Sequence, residues 1–446
     1  MNKHKLHFML LLMLTAPAWL MAQSTTKHAF TVLQAVEFAK QNNASVKNAL
    51  LGIRIQEQTN RGITAAAFPS LAGNIALNDY FDVPTQLFPA SFAGGPAGTY
   101  YPVKFGLKYN STASLQLQQL LFDGQVFIGL QARRTSMDFA KQNVAVTEEG
   151  IKVNVYKIYY QLVVSKTQID LLDANIARLE KLKHDATELY KNGFAEKLDV
   201  DKVDVQLSNL QTEKQKALNS IEIGYTGLKT LIGMPIKDTL ILTDNITEND
   251  IKTGALNDTV NYNDRSDYKY LQFAKKLNEY NIKRYQYSFL PTLSANLLYG
   301  QQAYRDKFTF FKSGDWYPIS YVGLNLSVPI FSGFGKEAKV KQSRFELQQT
   351  INNIDNLKLS IDNDVKQAQL NFNSAIQTMD FQKKNMQLAE NVYNQTKKKY
   401  EVGTGSNTEI NAAQTDLITA QTNYINALYS AVIAKIDYLK ATGKLQ

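Results

Sequence analysis

The sequence predicts a mainly α-helical chain with membrane-type β-strands, built from long antiparallel coiled-coil helices and internally duplicated. Three observations predict this fold class. Two long tracts are almost free of the 10 prolines and 23 glycines of the 446 residues. Four shorter segments alternate apolar and polar residues. The chain also matches itself after a shift of 210 positions, as from Gly193 to Gly403.

The N-terminal segment has the pattern of a secretory signal peptide. Lys3 and Lys5 precede an apolar run from Leu6 to Leu20, and small residues then allow cleavage after Ala22. Residues 1–22 are therefore expected to direct export, with an uncleaved anchor helix as the alternative. No later stretch approaches about 18 consecutive apolar residues, so a membrane role cannot depend on transmembrane helices.

Two tracts are predicted to form long helices. Residues 125–192 contain only Gly129 and Gly150, and residues 336–402 contain no glycine. Because proline and glycine disfavour helix interiors, these tracts favour uninterrupted helices. Apolar residues four and three positions apart indicate coiled-coil packing. This spacing is present in Ile151, Val155, Ile158, Leu162, Ile169, Leu172, Ile176 and Leu179, and again in Leu347, Ile351, Ile354, Ile361, Val365, Phe372 and Met379.

Four segments, at about 70–80, 105–121, 291–300 and 320–329, are predicted to be strands. Val322, Leu324, Leu326 and Val328, for example, interleave with small or polar residues. Period-two alternation gives a strand one apolar and one polar face. The apolar face would be the core of a soluble sandwich, or the lipid-facing side of a membrane barrel.

Aromatic residues cluster near the ends of these strands, beside loops at residues 81–103 and 301–320. An interfacial girdle explains this cluster, and a hydrophobic core within the loops is the alternative. The aromatic residues are Tyr80, Phe81, Tyr100, Tyr101, Tyr299, Trp316, Tyr317 and Tyr321.

Four strands cannot close a membrane barrel, since the smallest barrels have about eight. An open sheet edge in lipid would leave backbone groups without hydrogen-bond partners. The chain must therefore oligomerise if it enters a membrane. A dimer would supply eight strands and a trimer twelve.

The duplication predicts the domain boundaries. Tyr190, Gly193, Asp199 and Leu207 match Tyr400, Gly403, Glu409 and Leu417 at a shift of 210 without a gap. Residues 23–233 are expected to form the first repeat and residues 264–446 the second, each with a helix, two strands and a long helical hairpin. The hairpin tips lie at residues 193 and 403, and residues 234–263 form a linker.

These features resemble the TolC family of outer-membrane efflux proteins. The resemblance rests on the signal peptide, the duplicated half, the turn at residues 326–334 and the pattern Tyr400-Glu401-Val402-Gly403 followed by Glu409. It covers about residues 30–443. The most specific evidence for the resemblance is the duplication combined with paired strands before each hairpin.

The resemblance implies a homotrimer in the outer membrane that extends into the periplasm. Twelve strands would form one trimeric outer-membrane β-barrel, the helices a periplasmic α-barrel, and the linker part of an equatorial collar. It further implies passive conduction of small molecules or secreted proteins, as in type I secretion. The implied partners are outer-membrane lipid, a periplasmic adaptor (membrane fusion) protein, and an inner-membrane efflux pump or ABC transporter. A soluble periplasmic coiled-coil protein, structural or adaptor-like, is the alternative.

The resemblance also assigns site residues. The tips would contact the adaptor through Asn192, Gly193 and Phe194 and through Val402, Gly403 and Thr404. Ordinary glycine turns that reverse the chain are the alternative explanation for both tips, and the two explanations are compatible.

A periplasmic gate is implied at Asp199, Glu409 and Tyr400, although acids at helix starts also favour the helix dipole. Gly405 stands where members of the family carry a latch arginine, and Ala412 where they carry a second acid. The latch is therefore expected to be weaker or to be built differently, through Lys197 or Lys202.

Composition excludes several classes of function. The absence of cysteine rules out disulfides, thiol catalysis and iron–sulfur clusters, and the 4 histidines disfavour a metal centre. A formal charge of +9 without a concentrated basic block argues against nucleic-acid binding. Neither a phosphate loop nor a nucleophile elbow is present. We therefore expect no enzyme activity and no cofactor.

Overall fold

The computed structural model describes residues 26–253, 261–312 and 314–445. The predicted signal peptide and part of the predicted linker lie outside the described residues. The chain divides into two compact units. The helical unit is drawn from residues up to Leu51, Lys141–Tyr270 and the chain from Ile354 onward; the sheet unit comprises Gly52–Ala140 and Leu271–Asn353.

Helices account for most of the described residues. They are α1 (Val32–Asn42), α2 (Ala44–Ala65), α3 (Gly124–Lys191), α4 (Lys197–Ile232), α5 (Glu248–Lys252), α6 (Ser266–Tyr287), α7 (Gly335–Glu401) and α8 (Asn407–Ala441). The two tracts with few prolines and glycines thus form α3, of 68 residues, and α7, of 67 residues. Among the described residues, none of these helices combines the length and apolarity needed to cross a bilayer.

The strands are β1 (Lys27–Phe30), β2 (Ser70–Asp79), β3 (Thr85–Pro89), β4 (Tyr100–Lys104), β5 (Tyr109–Phe122), β6 (Thr239–Leu242), β7 (Thr292–Arg305) and β8 (Tyr317–Ser327). In the helical unit β1 pairs with β6 in parallel. In the sheet unit β3 and β4 form a small hairpin, and the main sheet has the order β2-β5-β7-β8 with antiparallel neighbours.

Buried apolar residues at coiled-coil spacing hold the helical unit together. One cluster brings Leu179 on α3 and Leu207 on α4 against Ile410 and Leu417 on α8. Each fully buried leucine or isoleucine stabilises the fold by about 1.5–3 kcal/mol relative to exposure to water. A second cluster joins α1, α3 and α4 around Tyr159, whose hydroxyl donates to the carbonyl oxygen of Phe30 at 2.8 Å.

The register of the main sheet gathers its apolar side chains on one face. Leu117 lies opposite Leu71 on β2 and opposite Leu297 on β7, and Leu297 lies opposite Val322 on β8. Since side chains alternate along a strand, the residues two positions away share this face. Many of them are exposed: Leu71, Ile75, Leu77, Leu115, Leu297, Val322, Leu324 and Leu326.

The loops that follow β2 and β7 carry ring clusters. In the first, Phe88 contacts Phe92 and Phe105, with ring centroids 5.4 and 6.1 Å away. In the second, Phe310 lies between Phe308 and Trp316, at 5.8 and 6.4 Å. β7 and β8 extend into the predicted 301–320 loop, so the connection between them is shorter than the sequence suggested.

Candidate docking tips and gate

The first tip is a hydrogen-bonded glycine turn at the end of α3. The Gly193 amide donates to the carbonyl oxygen of Tyr190 at 3.0 Å, and the Phe194 amide to that of Leu189 at 2.8 Å. Gly193 has φ 78°, in the left-handed region that glycine adopts without strain. This pair of bonds is a Schellman motif, which satisfies carbonyl groups left over at the helix end.

The second tip repeats this geometry at the end of α7. The Gly403 amide donates to the carbonyl oxygen of Tyr400 at 3.0 Å, and the Thr404 amide to that of Lys399 at 2.9 Å. Gly403 has φ 76°. The chain therefore reverses at both tips by the same backbone chemistry, as the turn interpretation requires.

Both tips present apolar side chains to solvent. Phe194 is 81% exposed and Val402 is 73% exposed. Neither residue contributes to the buried clusters of the helical unit. An exposed apolar side chain therefore lies beside the glycine turn at each tip.

Gly405 closes the second tip tightly. Its amide donates to the carbonyl oxygen of Lys399 at 3.0 Å. A Cβ atom at this position would lie 3.0 Å from the backbone nitrogen of Tyr400 and 3.2 Å from the Lys399 Cβ. An arginine here would crowd the last turn of α7, which gives a steric reason for glycine at this position.

The structure brings two of the three candidate gate residues together. Tyr400 packs at the margin of the cluster around Leu207. Burial raises the pKa of its hydroxyl, and the nearby carboxylates of Asp199 and Asp185 raise it further. The Lys202 ammonium lies 3.8 Å from the Asp199 carboxylate, whose side chain is a quarter exposed. Lys202 is one of the two lysines named as possible latch residues, and it therefore lies beside Asp199.

A small cavity of about 220 Å³ lies beside Tyr400, between α3 and α7. Its charged lining comes from Arg178, Lys181, Asp185, Lys397 and Glu401. Positive and negative groups therefore meet next to the tyrosine that the resemblance assigns to the gate.

Glu409 is engaged at the start of its own helix. Its carboxylate accepts the Ser406 amide at 3.2 Å, and the Ser406 hydroxyl accepts the Glu409 amide at 3.2 Å. This capping box satisfies two backbone donors that the helix leaves unpaired. The helix-start explanation therefore accounts for the position of Glu409, while leaving its charge exposed.

A buried amide cluster near the gate was not anticipated from the sequence. The Asn175 side chain donates to the Gln421 Oε1 at 2.6 Å and accepts from Gln414 at 3.2 Å and from Arg178 at 2.8 Å. Asn175 and Gln414 are 2% and 1% exposed. The available signal was the pair of glutamines seven residues apart, which places both on one face of α8.

The short helix α5 fastens the linker to the second hairpin. Its Glu248 carboxylate accepts the Tyr424 hydroxyl at 2.7 Å and lies 2.8 Å from the Lys383 ammonium, and Lys252 lies 2.6 Å from Asp380. Burial alone would raise the pKa of Glu248, but the bonds from Lys383 and Tyr424 together lower it. The same arrangement raises the pKa of Tyr424, through burial and then through its bond to Glu248.

In the parts of the chain that the structure describes, no group of three or more histidine, aspartate or glutamate side chains is placed to hold a metal ion.

Comparison with known proteins agrees with this geometry. Residues 269–444 match the family model described as outer membrane efflux protein. The outer membrane protein TolC of Vibrio cholerae is 20% identical over 343 residues, which cover 75% of this chain and 77% of that protein. The resemblance to the TolC family is confirmed.

Further TolC-type proteins match over greater lengths. The outer membrane efflux protein BepC of Brucella suis is 21% identical over 418 residues, covering 93% of this chain and 86% of that protein. The crystal structure of the outer membrane protein VceC from Vibrio cholerae superposes with a TM-score of 0.72 at 15% identity, covering 92% and 96% of the two chains. The TolC-type fold, mostly helical, therefore extends over nearly the whole chain. These relatives favour an outer-membrane channel over a soluble periplasmic coiled-coil protein.

Proposed function

We propose that this protein is an outer-membrane channel that passively conducts small molecules or secreted proteins to the outside of the cell. The observation that carries this proposal is the single apolar face of the main sheet, where leucines from four neighbouring strands are exposed together. A soluble protein rarely leaves so large an apolar face in water, whereas a membrane barrel needs one.

The working form is a homotrimer with a 12-stranded barrel. The main sheet ends at β2 on one side and at β8 on the other. Unpaired backbone groups at such edges cost several kcal/mol each in lipid. Three copies of a four-stranded sheet remove every edge by pairing β8 of one copy with β2 of the next.

The tips dock a periplasmic adaptor protein that links the channel to an inner-membrane transporter. Exposed Phe194 and Val402, each beside a hydrogen-bonded Schellman turn, support this role. Asn192, Gly193, Gly403 and Thr404 then serve to shape the turns. Both tips would present the same backbone geometry, which suits repeated contacts around a symmetric entrance.

The gate is formed by Asp199, Tyr400 and Glu409, which lie close to the two tips in the sequence. In a trimer each acid contributes three carboxylates around one opening. Crowded carboxylates repel one another, attract cations and bind divalent ions through oxygen. The Asp199–Lys202 pair and the hydroxyl of Tyr400 supply contacts that a closed state can use.

The proposal is tested by export and by location. Deletion of the gene should abolish export of the channel's substrates, and the protein should fractionate with the outer membrane and require detergent for extraction. In planar bilayers the purified protein should open conducting pores. A product that is soluble in the periplasm without detergent would instead support the structural coiled-coil alternative.

A further inference from the structure

The two strand hairpins of the main sheet have the same register once the repeat offsets are applied. Ser70 on β2 pairs with Gln118 on β5, and Thr292 on β7 pairs with Ser327 on β8. Position 292 is 70 plus 222, and position 327 is 118 plus 209. The sequence independently aligns the segment at Phe68 with that at Leu290 by 222 residues, and Phe122 with Phe331 by 209. The two offsets therefore relate hydrogen-bonded pairs as well as residue types.

The same offsets can be applied to the junction between the hairpins. At that junction β5 pairs with β7, so that Leu117 lies opposite Leu297. Moving β5 forward by 209 residues gives β8, and Leu117 becomes Leu326. Moving β7 back by 222 residues gives β2, and Leu297 becomes Ile75. Within one chain β8 and β2 are the two outer strands of the sheet, so this pairing needs a second copy.

We propose a specific register for this antiparallel contact between copies, in which Leu326 of β8 lies opposite Ile75 of the next copy's β2, Leu324 opposite Leu77 and Ser327 opposite Asn74. This inference rests on the proposed trimeric channel and specifies the contact that closes it. The antiparallel direction follows from the sheet itself, because four strands that alternate in direction leave β2 and β8 running oppositely.

The apolar pattern agrees with this register, although it was not used to derive it. Leu326 and Leu324 lie on the same face of the sheet as Leu297, because Leu326 pairs with Leu293 and Leu324 with Ala295 on β7. Ile75 lies on that face as well, since it pairs with Ala113 on β5. A slip of one residue would turn every side chain of β2 to the opposite face.

The edge residues are exposed in the single chain as such an interface requires. Ile75 is 86% exposed and Leu326 is 61% exposed. On the other face the register places Asn74 opposite Ser327, two small polar side chains. Downstream, Pro329 has no N–H to donate, so regular pairing ends before it. The paired segment is thus residues 322–327 of one copy with residues 79–74 of the next.

Cysteine cross-linking tests this register, and the chain contains no cysteine of its own. The variant Ile75→Cys with Leu326→Cys is purified in detergent and oxidised with copper phenanthroline. Directly opposite Cβ atoms lie about 4.5–5.5 Å apart, close to disulfide reach, whereas staggered pairs lie about 7–8 Å apart. Each copy carries one cysteine for each edge, so the expected product on a denaturing gel is a covalent trimer.

Two staggered variants serve as matched controls, Ile75→Cys with Leu324→Cys and Leu77→Cys with Leu326→Cys. Each should give at least about tenfold less covalent trimer than the matched pair, because their Cβ atoms exceed disulfide reach. Asn74→Cys with Ser327→Cys repeats the test on the polar face, independently of lipid. Equal or stronger cross-linking of the staggered pairs would overturn the register.

The mass of the unoxidised protein separates this inference from the proposed function. A trimeric mass without cross-linking at either matched pair rejects the register and leaves the trimeric channel intact. A monomeric mass with well-formed β-structure rejects the trimer, and the register falls with it. A trimeric mass with cross-linking only at matched pairs supports both.

Discussion

Asn175 on α3 and Gln421 on α8 share a buried hydrogen bond of 2.6 Å that joins the first helical hairpin to the second. The same asparagine accepts from Gln414, two helical turns away from Gln421 along α8. One side chain therefore bridges two positions of a neighbouring helix. Sliding of α8 along α3 would break both bonds, so the cluster specifies the register between the hairpins.

Removing one member of this cluster should lower the free energy of unfolding more than replacing the whole cluster with apolar residues. Asn175→Ala leaves Gln421 and Gln414 without partners in the core, with an expected loss of about 1–3 kcal/mol. The triple change Asn175→Leu, Gln414→Leu and Gln421→Leu removes the unpaired groups and should be close to neutral. Thermal unfolding of the detergent-solubilised protein, followed by helical circular dichroism, measures both. A triple variant that is less stable than Asn175→Ala would contradict this reasoning.

The contrast between the heptads and this cluster shows what the sequence could predict. Leu179, Ile410 and Leu417 repeat at coiled-coil spacing, and the burial of each follows from local periodicity. The partner of Asn175 lies 246 residues away. Its selection depends on how the two hairpins pack, and an amide in a helix signals exposure as readily as burial.

Local sequence patterns also predicted parts of the strands and tips, but not the linker contact. Alternation predicted the apolar faces of the strands, because period two is a local property. The repeated glycines predicted the turns, since the left-handed conformation favours that residue. The linker contact of Glu248 with Tyr424 was not predictable, because neither residue has a motif and the bond joins segments 176 residues apart.

The linker contact predicts a pH-dependent stability difference. The pKa of Glu248 is lowered in the folded protein, so its contribution is present above the unfolded pKa of about 4.5 and is lost as pH falls through the lower, folded value. Glu248→Gln should lower stability by about 1 kcal/mol at neutral pH, because the partly exposed contact is screened by solvent. The difference from wild type should shrink as pH falls below about 4.5.

Thermal midpoints measured between pH 3 and pH 8 check this dependence. Tyr424→Phe is the matched control, since it removes a hydrogen bond to Glu248 but retains Lys383 beside the carboxylate. The thermal midpoint of Tyr424→Phe should therefore keep most of its dependence on pH. A difference between Glu248→Gln and wild type that is the same at all these pH values would exclude an ionic contribution from Glu248.

Gly405→Arg should not restore a working latch, because the arginine does not fit at this position. The added Cβ would meet the Tyr400 backbone nitrogen at 3.0 Å, so the last turn of α7 must shift. We expect a loss of about 1–3 kcal/mol, the range for overpacking at a tight site. Gly405→Ala carries the same Cβ without the charge and should show a similar loss. Bilayer conductance and thermal midpoint together decide the outcome: a stable Gly405→Arg variant with reduced conductance would show that the arginine fits and latches.

Phe194→Asp should abolish adaptor binding while leaving the trimer assembled. The side chain is 81% exposed, so its replacement does not open a cavity, and the charge disfavours an apolar contact with a partner. Phe381→Asp is the matched control, because Phe381 is also exposed but lies on α7 away from either tip. Cross-linking to the adaptor and export of substrate should fall at least tenfold for Phe194→Asp only. Equal export by both variants would leave the tips as ordinary turns.

Neutralising the two candidate gate acids should change ion selectivity without changing stability. Asp199→Asn removes the charge beside Lys202 and Tyr400, and Glu409→Gln retains the capping box because glutamine caps a helix as glutamate does. Six carboxylates in a trimer would otherwise hold cations at one narrow opening, over a screening distance of about 8–10 Å. In planar bilayers the double variant should lose cation preference and any block by divalent ions.

The double variant Glu213→Gln with Glu390→Gln removes the same charge from exposed helix positions outside the proposed gate and should retain wild-type selectivity. Raising the salt concentration should reduce the selectivity of the wild type toward that of the gate variant, because salt screens the same carboxylates. If the gate and control variants behave alike, Asp199 and Glu409 only stabilise helix starts. The cavity that Tyr400 and Asp185 both line then becomes the next position to test.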